Sequence, residues 1–177
     1  TNLAATQVNN PNRTKIISQS REDIAKAKEN FKKATEINGN FGVALYNLGL
    51  VYEREGKVKE AISQLEKIVP FNANNAGLMF ELGLLYYRDN KKDLAFQQMQ
   101  RAVVIAPNYA NAKWYLALIY EERGELNKAI DQLEGILSQE VNKGNEILNQ
   151  KLSELKVGKT RIPPGKVTDQ KPLESRF

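Results

Sequence analysis

A period of 34 residues runs through the middle of this chain, and a repeat of that length constrains the fold more than any other feature of the sequence. Leu48, Leu82 and Leu116 stand in one column, each followed by a small residue, Gly49, Gly83 or Ala117. Tyr52, Tyr86 and Tyr120 form a second column, Gly56, Asn90 and Gly124 a third, Ala61, Ala95 and Ala129 a fourth, and Leu65, Met99 and Leu133 a fifth. Within one period the apolar residues follow helical spacing at Leu45, Leu48, Gly49 and Tyr52, break at Gly56, and resume at Ala61, Ile62, Leu65, Ile68 and Val69. Each period is therefore expected to fold as two antiparallel helices. The small residue after Leu lets a neighbouring helix approach closely, and the Tyr fills the gap between adjacent periods. Gly56 and Gly124 suit a left-handed helix stop, where Asn90 is the next best choice. Asn40, Asn74, Asn108 and Asn142 stand ahead of each first helix, where Asn accepts hydrogen bonds from unpaired amides, and Asn142 implies one more helix from about residue 144.

These columns closely resemble the tetratricopeptide repeat, with its Leu-Gly pair, Tyr, second-helix Ala and closing Pro. Residues 76–109 match best, through Leu82, Gly83, Tyr86, Ala95, Ala102 and Pro107. Residues 42–75 and 110–143 match well but depart at the close, where Ala73 and Val141 replace the Pro and Ile68 and Ile136 replace a small residue. Lys113 also stands where a large apolar side chain is expected. The resemblance implies an all-α, right-handed α-solenoid of helix-turn-helix repeats.

The flanks are less regular. Ala27, Phe31, Ala34, Ile37 and Asn40 reproduce the second half of a repeat over 21–41, whereas Thr14, Lys15 and Ser18 cannot fill the columns of its first half. Residues 1–20 are therefore expected to form an irregular or degenerate helix opened by Pro11, with Ser20 and Asp23 capping the helix that follows. At the other end Leu148, Leu152 and Leu155 fall at i, i+4 and i+7, an amphipathic capping helix over 144–157. Residues 158–177, with paired prolines, scattered charge and no period, are expected to be a flexible basic tail.

Composition narrows the chemistry. The absence of Cys and His removes disulfides, thiolate and imidazole metal ligands, cysteine nucleophiles and the usual imidazole base, so no metal and no cofactor is expected. Glu121 and Glu122 are sequence neighbours, and on a helix they point about 100° apart, unlike two carboxylates facing one substrate. No glycine has phosphate-loop spacing around a Lys, and the expected class is not an enzyme. The net charge of +5 arises in the flanks: residues 42–143 hold twelve Lys/Arg against thirteen Asp/Glu, whereas 157–177 hold five against two. That distribution argues against a nucleic-acid partner, which requires cations concentrated on a folded face. No stretch approaches the roughly 18–20 apolar residues of a membrane span. The chain reads as soluble, either cytoplasmic or an exported domain of a bacterial protein. It does not begin with Met, which fits a mature product or a segment of a longer protein.

In tetratricopeptide repeats the first helices line the concave side of the superhelix, where most partners bind. The positions two before and two after the Leu column are Tyr46, Phe80 and Trp114, then Leu50, Leu84 and Leu118, all apolar. Tyr87 and Tyr115 widen the strip, and Glu53, Arg54, Glu81, Arg88, Glu121 and Glu122 surround it. An apolar band rimmed by polar groups usually marks an interaction site. Three readings follow: a protein-interaction scaffold that binds a peptide or helix ligand in this groove, a groove filled by the chain's own ends, or plain packing between repeats. The second belongs with a structural spacer or oligomerisation module of a larger bacterial assembly, one that can be membrane-attached. The carboxylate clamp for chaperone tails is ruled out, since Tyr46, Leu50, Glu81, Asn111 and Tyr115 stand where its Lys, Asn and Arg side chains are required.

Overall fold

A computed structural model describes residues 11–38, 42–158, 162–163 and 165–173. Eight α-helices carry these residues: α1 (Pro11–Ile37), α2 (Gly42–Arg54), α3 (Val58–Glu66), α4 (Ala76–Arg88), α5 (Lys92–Ile105), α6 (Ala110–Glu122), α7 (Leu126–Leu137) and α8 (Glu146–Lys156), with three short 3-10 turns at Val69–Phe71, Glu140–Asn142 and Val167–Asp169. No strand occurs among the described residues. The chain divides into two compact units, one ending at Ile68 and the other beginning at Val69.

The repeat columns build both units. In the first, α2 packs on α3 and on α1. Leu48, Ala61 and Leu65 are buried, and Gly49 lies so close to Leu65 that an added Cβ would meet its side chain at 3.0 Å. The second unit repeats this arrangement in α4 and α5, where a Cβ on Gly83 would come within 2.9 Å of Met99. The small residue after the column Leu is therefore the point at which the two helices of one repeat cross. Two members of the Tyr column face the element before their own repeat within one unit: Tyr120 packs edge-on against Phe96 of α5 with centroids 5.3 Å apart, and the Lys28 ammonium of α1 lies 4.8 Å from the Tyr52 ring centre. Lys113, out of pattern, reaches the space left by Gly135, where its Nζ donates to the Gly135 carbonyl at 3.5 Å.

The same stop closes all three first helices. Gly56, Asn90 and Gly124 have φ of 74°, 60° and 78°. The following N–H of Lys57, Lys91 or Glu125 donates to the carbonyl of Tyr52, Tyr86 or Tyr120, and the Gly or Asn N–H to Glu53, Tyr87 or Glu121, which is the double bond of a Schellman stop. The stop ties the Tyr column to the turn, so one residue serves both packing and termination.

Several expectations are corrected. The Asn column does not supply the caps: Asn75 accepts from Leu78 N at 3.0 Å and Asn145 from Leu148 N at 3.1 Å, each one or three positions after its column member, while Asn142 is buried in a 3-10 turn. Asn40 lies outside the described residues. The amino-terminal helix does not break at Ser20; α1 is continuous over 27 residues, with Pro11 in its first turn, where a missing N–H costs nothing. Residues 1–10 lie outside the described residues. Phe31 and Ala34 are half-buried, but Ile37 is 88% exposed and plays no part in the core. The last helix begins at Glu146, two residues later than its column implies, with Leu148 and Leu155 buried against α7.

Two pairs of substitutions test this account. Leu82→Ala should lower unfolding free energy by about 2–5 kcal/mol, as for a fully buried Leu, whereas exposed Gln97→Ala should stay within about 0.5. Gly124→Ala should cost about 1–2 kcal/mol for forcing a Cβ into the left-handed region. Gly144→Ala, which meets open space at an ordinary φ, should be neutral or stabilising in the same urea titration.

Candidate functional site

Six of the eight residues expected on the concave strip lie on α4 and α6 of the second unit, and there they are buried: Phe80, Leu84, Tyr87, Trp114, Tyr115 and Leu118. Tyr46 and Leu50 are half-buried on α2 of the first unit. The exposed band expected from the sequence is thus corrected in α4 and α6, for two physical reasons. Phe80 belongs to the core between repeats, its ring 5.2 Å from that of Tyr109 and 5.7 Å from that of Tyr115, at tilted angles favourable to aromatic contact. The other cover is the chain's own carboxyl-terminal segment.

That segment was expected to be a flexible tail, and its described residues instead pack on α4 and α6 through the Val167–Asp169 turn. The Pro163 carbonyl accepts from Lys166 N at 3.1 Å, closing a turn in which Gly165 has φ 80°, the backbone that Pro-Gly sequences favour. Val167 follows and is 1% exposed; Ile162 is also buried. Among the described residues, hydrogen bonds then join helix side chains to the segment, the Ile162 N–H on Glu121 being one. Gly165 N donates to Glu122 at 2.8 Å, Val167 N to the Tyr87 hydroxyl at 3.4 Å, and Leu173 N to Asn111 Oδ1 at 2.9 Å. In the other direction, the Tyr115 hydroxyl donates to the Gln170 carbonyl at 2.8 Å and Trp114 Nε1 to the Lys171 carbonyl at 3.0 Å. Trp and Tyr suit such a surface because each buries a ring while its polar tip finds a partner.

The two adjacent carboxylates at the end of α6 act differently. Glu122 accepts from Lys92 Nζ at 2.6 Å and from the Tyr87 hydroxyl at 2.8 Å as well as from Gly165. Burial works to raise the Glu122 carboxyl, but the Lys92 ammonium, the Gly165 N–H and the Tyr87 hydroxyl together hold it below the ordinary carboxylate value. Tyr87 is pushed above its usual value by burial and by the Glu122 bond. Glu121 is fully buried, with Lys151 of α8 at 2.8 Å, and burial raises its carboxyl despite that ammonium. Glu81 and Glu121, expected in a charged surround, are both buried. Sequence reasoning missed Ile162 and Val167 as site residues, and it considered Asn111 only in testing the chaperone clamp. The Pro-Gly pair ahead of a β-branched residue was the available signal for a built turn.

Among the described residues no group of three acidic side chains is placed to hold a metal ion, and no helix is long and apolar enough to cross a membrane.

No curated protein sequence matches the chain. Among solved structures, the crystal structure of MamA is 28% identical with a TM-score of 0.70, covering 80% of this chain and 81% of that one. YrrB, described as a TPR protein with an unusual peptide-binding site, is 23% identical with a TM-score of 0.67 over 86% of this chain and 78% of its own. A tetratricopeptide repeat protein from Parabacteroides merdae is 19% identical with a TM-score of 0.69, covering 82% of this chain and 59% of its own, a likeness of fold alone. The all-α solenoid of helix-turn-helix repeats is the fold class of these structures. Two sequence models of the tetratricopeptide repeat match residues 43–69 and 80–142, together just over half of the chain. With its helix pairs, Tyr columns and left-handed stops in place, the chain belongs to the tetratricopeptide repeat family.

Proposed function

We propose that this chain is a protein-interaction scaffold and not an enzyme, the use that repeats of this family typically serve. We propose that its peptide site is the surface of α4 and α6, formed by Phe80, Leu84, Tyr87, Trp114, Tyr115 and Leu118, and that the isolated chain fills this site with its own residues 162–173. The observation that carries this reading is the set of five hydrogen bonds from Tyr87, Asn111, Trp114, Tyr115 and Glu122 to that segment. A surface able to hold one extended segment in this way holds another of like shape, and an external protein or peptide ligand competes with the resident one. The peptide-binding description of YrrB, a structure of the same fold, is consistent with this use. Tyr46 and Leu50, half-buried on α2, belong to the first unit, and the proposed site is drawn from the second unit alone. The filled groove is equally what the structural spacer or oligomerisation reading expects, and displacement of the segment by an added peptide separates the two.

Docking of the segment is local, so it opens without melting the helix pairs. Val167→Asp places a charge at a fully buried position and should release the segment. Trp114, the only tryptophan, is buried beside it, and its emission should move to the red while the helical circular dichroism holds. Trypsin should then cut after Lys166, a bond that stays protected in the parent chain. A synthetic peptide of residues 162–173 added to this variant should return the emission to the blue in a saturable manner. Unchanged Trp114 emission in the variant, or no response to the peptide, would remove the basis of the reading.

A further inference from the structure

The hydrogen bonds that join helix side chains to the docked segment share one property: each ends on a main-chain atom, at Ile162 N, Gly165 N, Val167 N, Gln170 O, Lys171 O and Leu173 N. The charged and amide side chains of the segment are left exposed. Lys166 and Asp169 pair with each other at 2.9 Å, and Lys166, Asp169, Gln170 and Lys171 are all exposed. Val167, 1% exposed beside the Tyr87 hydroxyl, and Ile162, 7% exposed, are the buried ones.

We propose that the α4 and α6 surface selects its ligands by main-chain shape, taking extended peptides with a glycine at an entry turn, an aliphatic residue two positions later and a proline five positions beyond that, as in Gly165, Val167 and Pro172. This rests on the peptide-site reading above and specifies the class of partner.

Each of the three positions has its own physical reason. Gly165 has φ 80° with no heavy atom within 4 Å of an added Cβ, so the demand is for a left-handed backbone and not for space. Val167 fills the more deeply buried of the segment's two buried positions, Ile162 being the other, and a β-branched residue there is stiff at χ1 and loses little freedom on docking. Pro172 forces the preceding Lys171 into an extended backbone, which presents the carbonyl that Trp114 Nε1 meets at 3.0 Å. Pro172 itself has no N–H to leave unpaired, and its fixed φ lowers the entropy lost on binding. Gln170, at φ −74° and ψ 138°, already lies in the polyproline region, where the main chain makes no internal hydrogen bonds and its carbonyls are open to donors. Aromatic N–H and O–H donors facing such carbonyls are the physical basis of polyproline recognition in general.

The test uses the full chain carrying Val167→Asp, whose own segment is released, and Trp114 emission as the readout for four peptides of residues 162–173. The parent peptide should bind. A peptide carrying Lys166→Ala, Asp169→Ala, Gln170→Ala and Lys171→Ala together should bind within about threefold of it, because the bonds to the surface come from the main chain and these side chains are exposed. Gly165→Val and Val167→Asp peptides should each weaken binding by about tenfold or more. Should Val167→Asp cost the chain its helical signal, the same peptides are titrated into the full chain carrying Gly165→Val, which frees the segment without burying a charge. Loss of binding by the four-alanine peptide, or parent-like binding by the Gly165→Val peptide, overturns the main-chain rule while leaving the site reading intact. Failure of the parent peptide to bind either chain overturns the site reading itself, and the rule with it.

Discussion

The crossing of two helices at a residue with no side chain is the contact on which the rest of each repeat depends. Gly49 admits Leu65 and Gly83 admits Met99 at distances a Cβ would block, so the second helix of the pair comes close enough to bury its Ala and Leu or Met columns. From that approach the turn follows: the chain must reverse within three residues, and a left-handed residue with two crossed hydrogen bonds does so at Gly56, Asn90 and Gly124. The Tyr whose carbonyl accepts one of those bonds also turns its ring, within a unit, towards the preceding element, as Tyr120 does to Phe96. Packing within a repeat, reversal of the chain and packing between repeats are thus three consequences of one geometry.

A repeat built this way never buries its outer face alone, so the ends of a stack need covers of a different kind. In the second unit α8 is one, with Leu148 and Leu155 on α7 and Lys151 neutralising the buried Glu121. The carboxyl-terminal segment is another, laid over the polar tips of Trp114, Tyr115 and Tyr87. Glu121 and Glu122 show how adjacent residues divide this work. One is buried against the Lys151 ammonium of the capping helix and meets the segment only at the Ile162 N–H, and the other is surrounded by Lys92, Tyr87 and the Gly165 N–H. Their carboxyls shift in opposite directions because burial outweighs the partner of Glu121 and the partners of Glu122 outweigh burial.

What the sequence made legible was what repeats. The columns, the stops at Gly56, Asn90 and Gly124, and the helical pairs could be read because three copies of the same local pattern leave little room for chance. Failures arose where one copy differed or where distance in sequence mattered. The capping Asn could not be separated from its neighbours, since Asn74 and Asn75 are both present and only backbone geometry decides between them. Continuity of α1 past Ser20 was hidden by a capping signal that the helix overrides. The docked segment was hidden most deeply: it lacks periodicity because it has no helix or strand to be periodic in, and its partners lie some 43 to 80 residues away.

That distance explains why composition misled. A segment poor in apolar residues ordinarily stays unfolded because it cannot offset the entropy of ordering its chain. Residues 165–173 meet this requirement by another route. Their main-chain groups bond to side chains already fixed on α4 and α6, so only one partner of each bond must be ordered, and Pro172 and the 3-10 turn limit the freedom lost. Attachment to the same chain then supplies a high local concentration, which lets a shallow set of contacts hold a segment that has one fully buried side chain. For the proposed exchange with an external peptide, such a ligand must be bound firmly enough to cover Trp114 and weakly enough to leave when a competitor of the same backbone shape arrives.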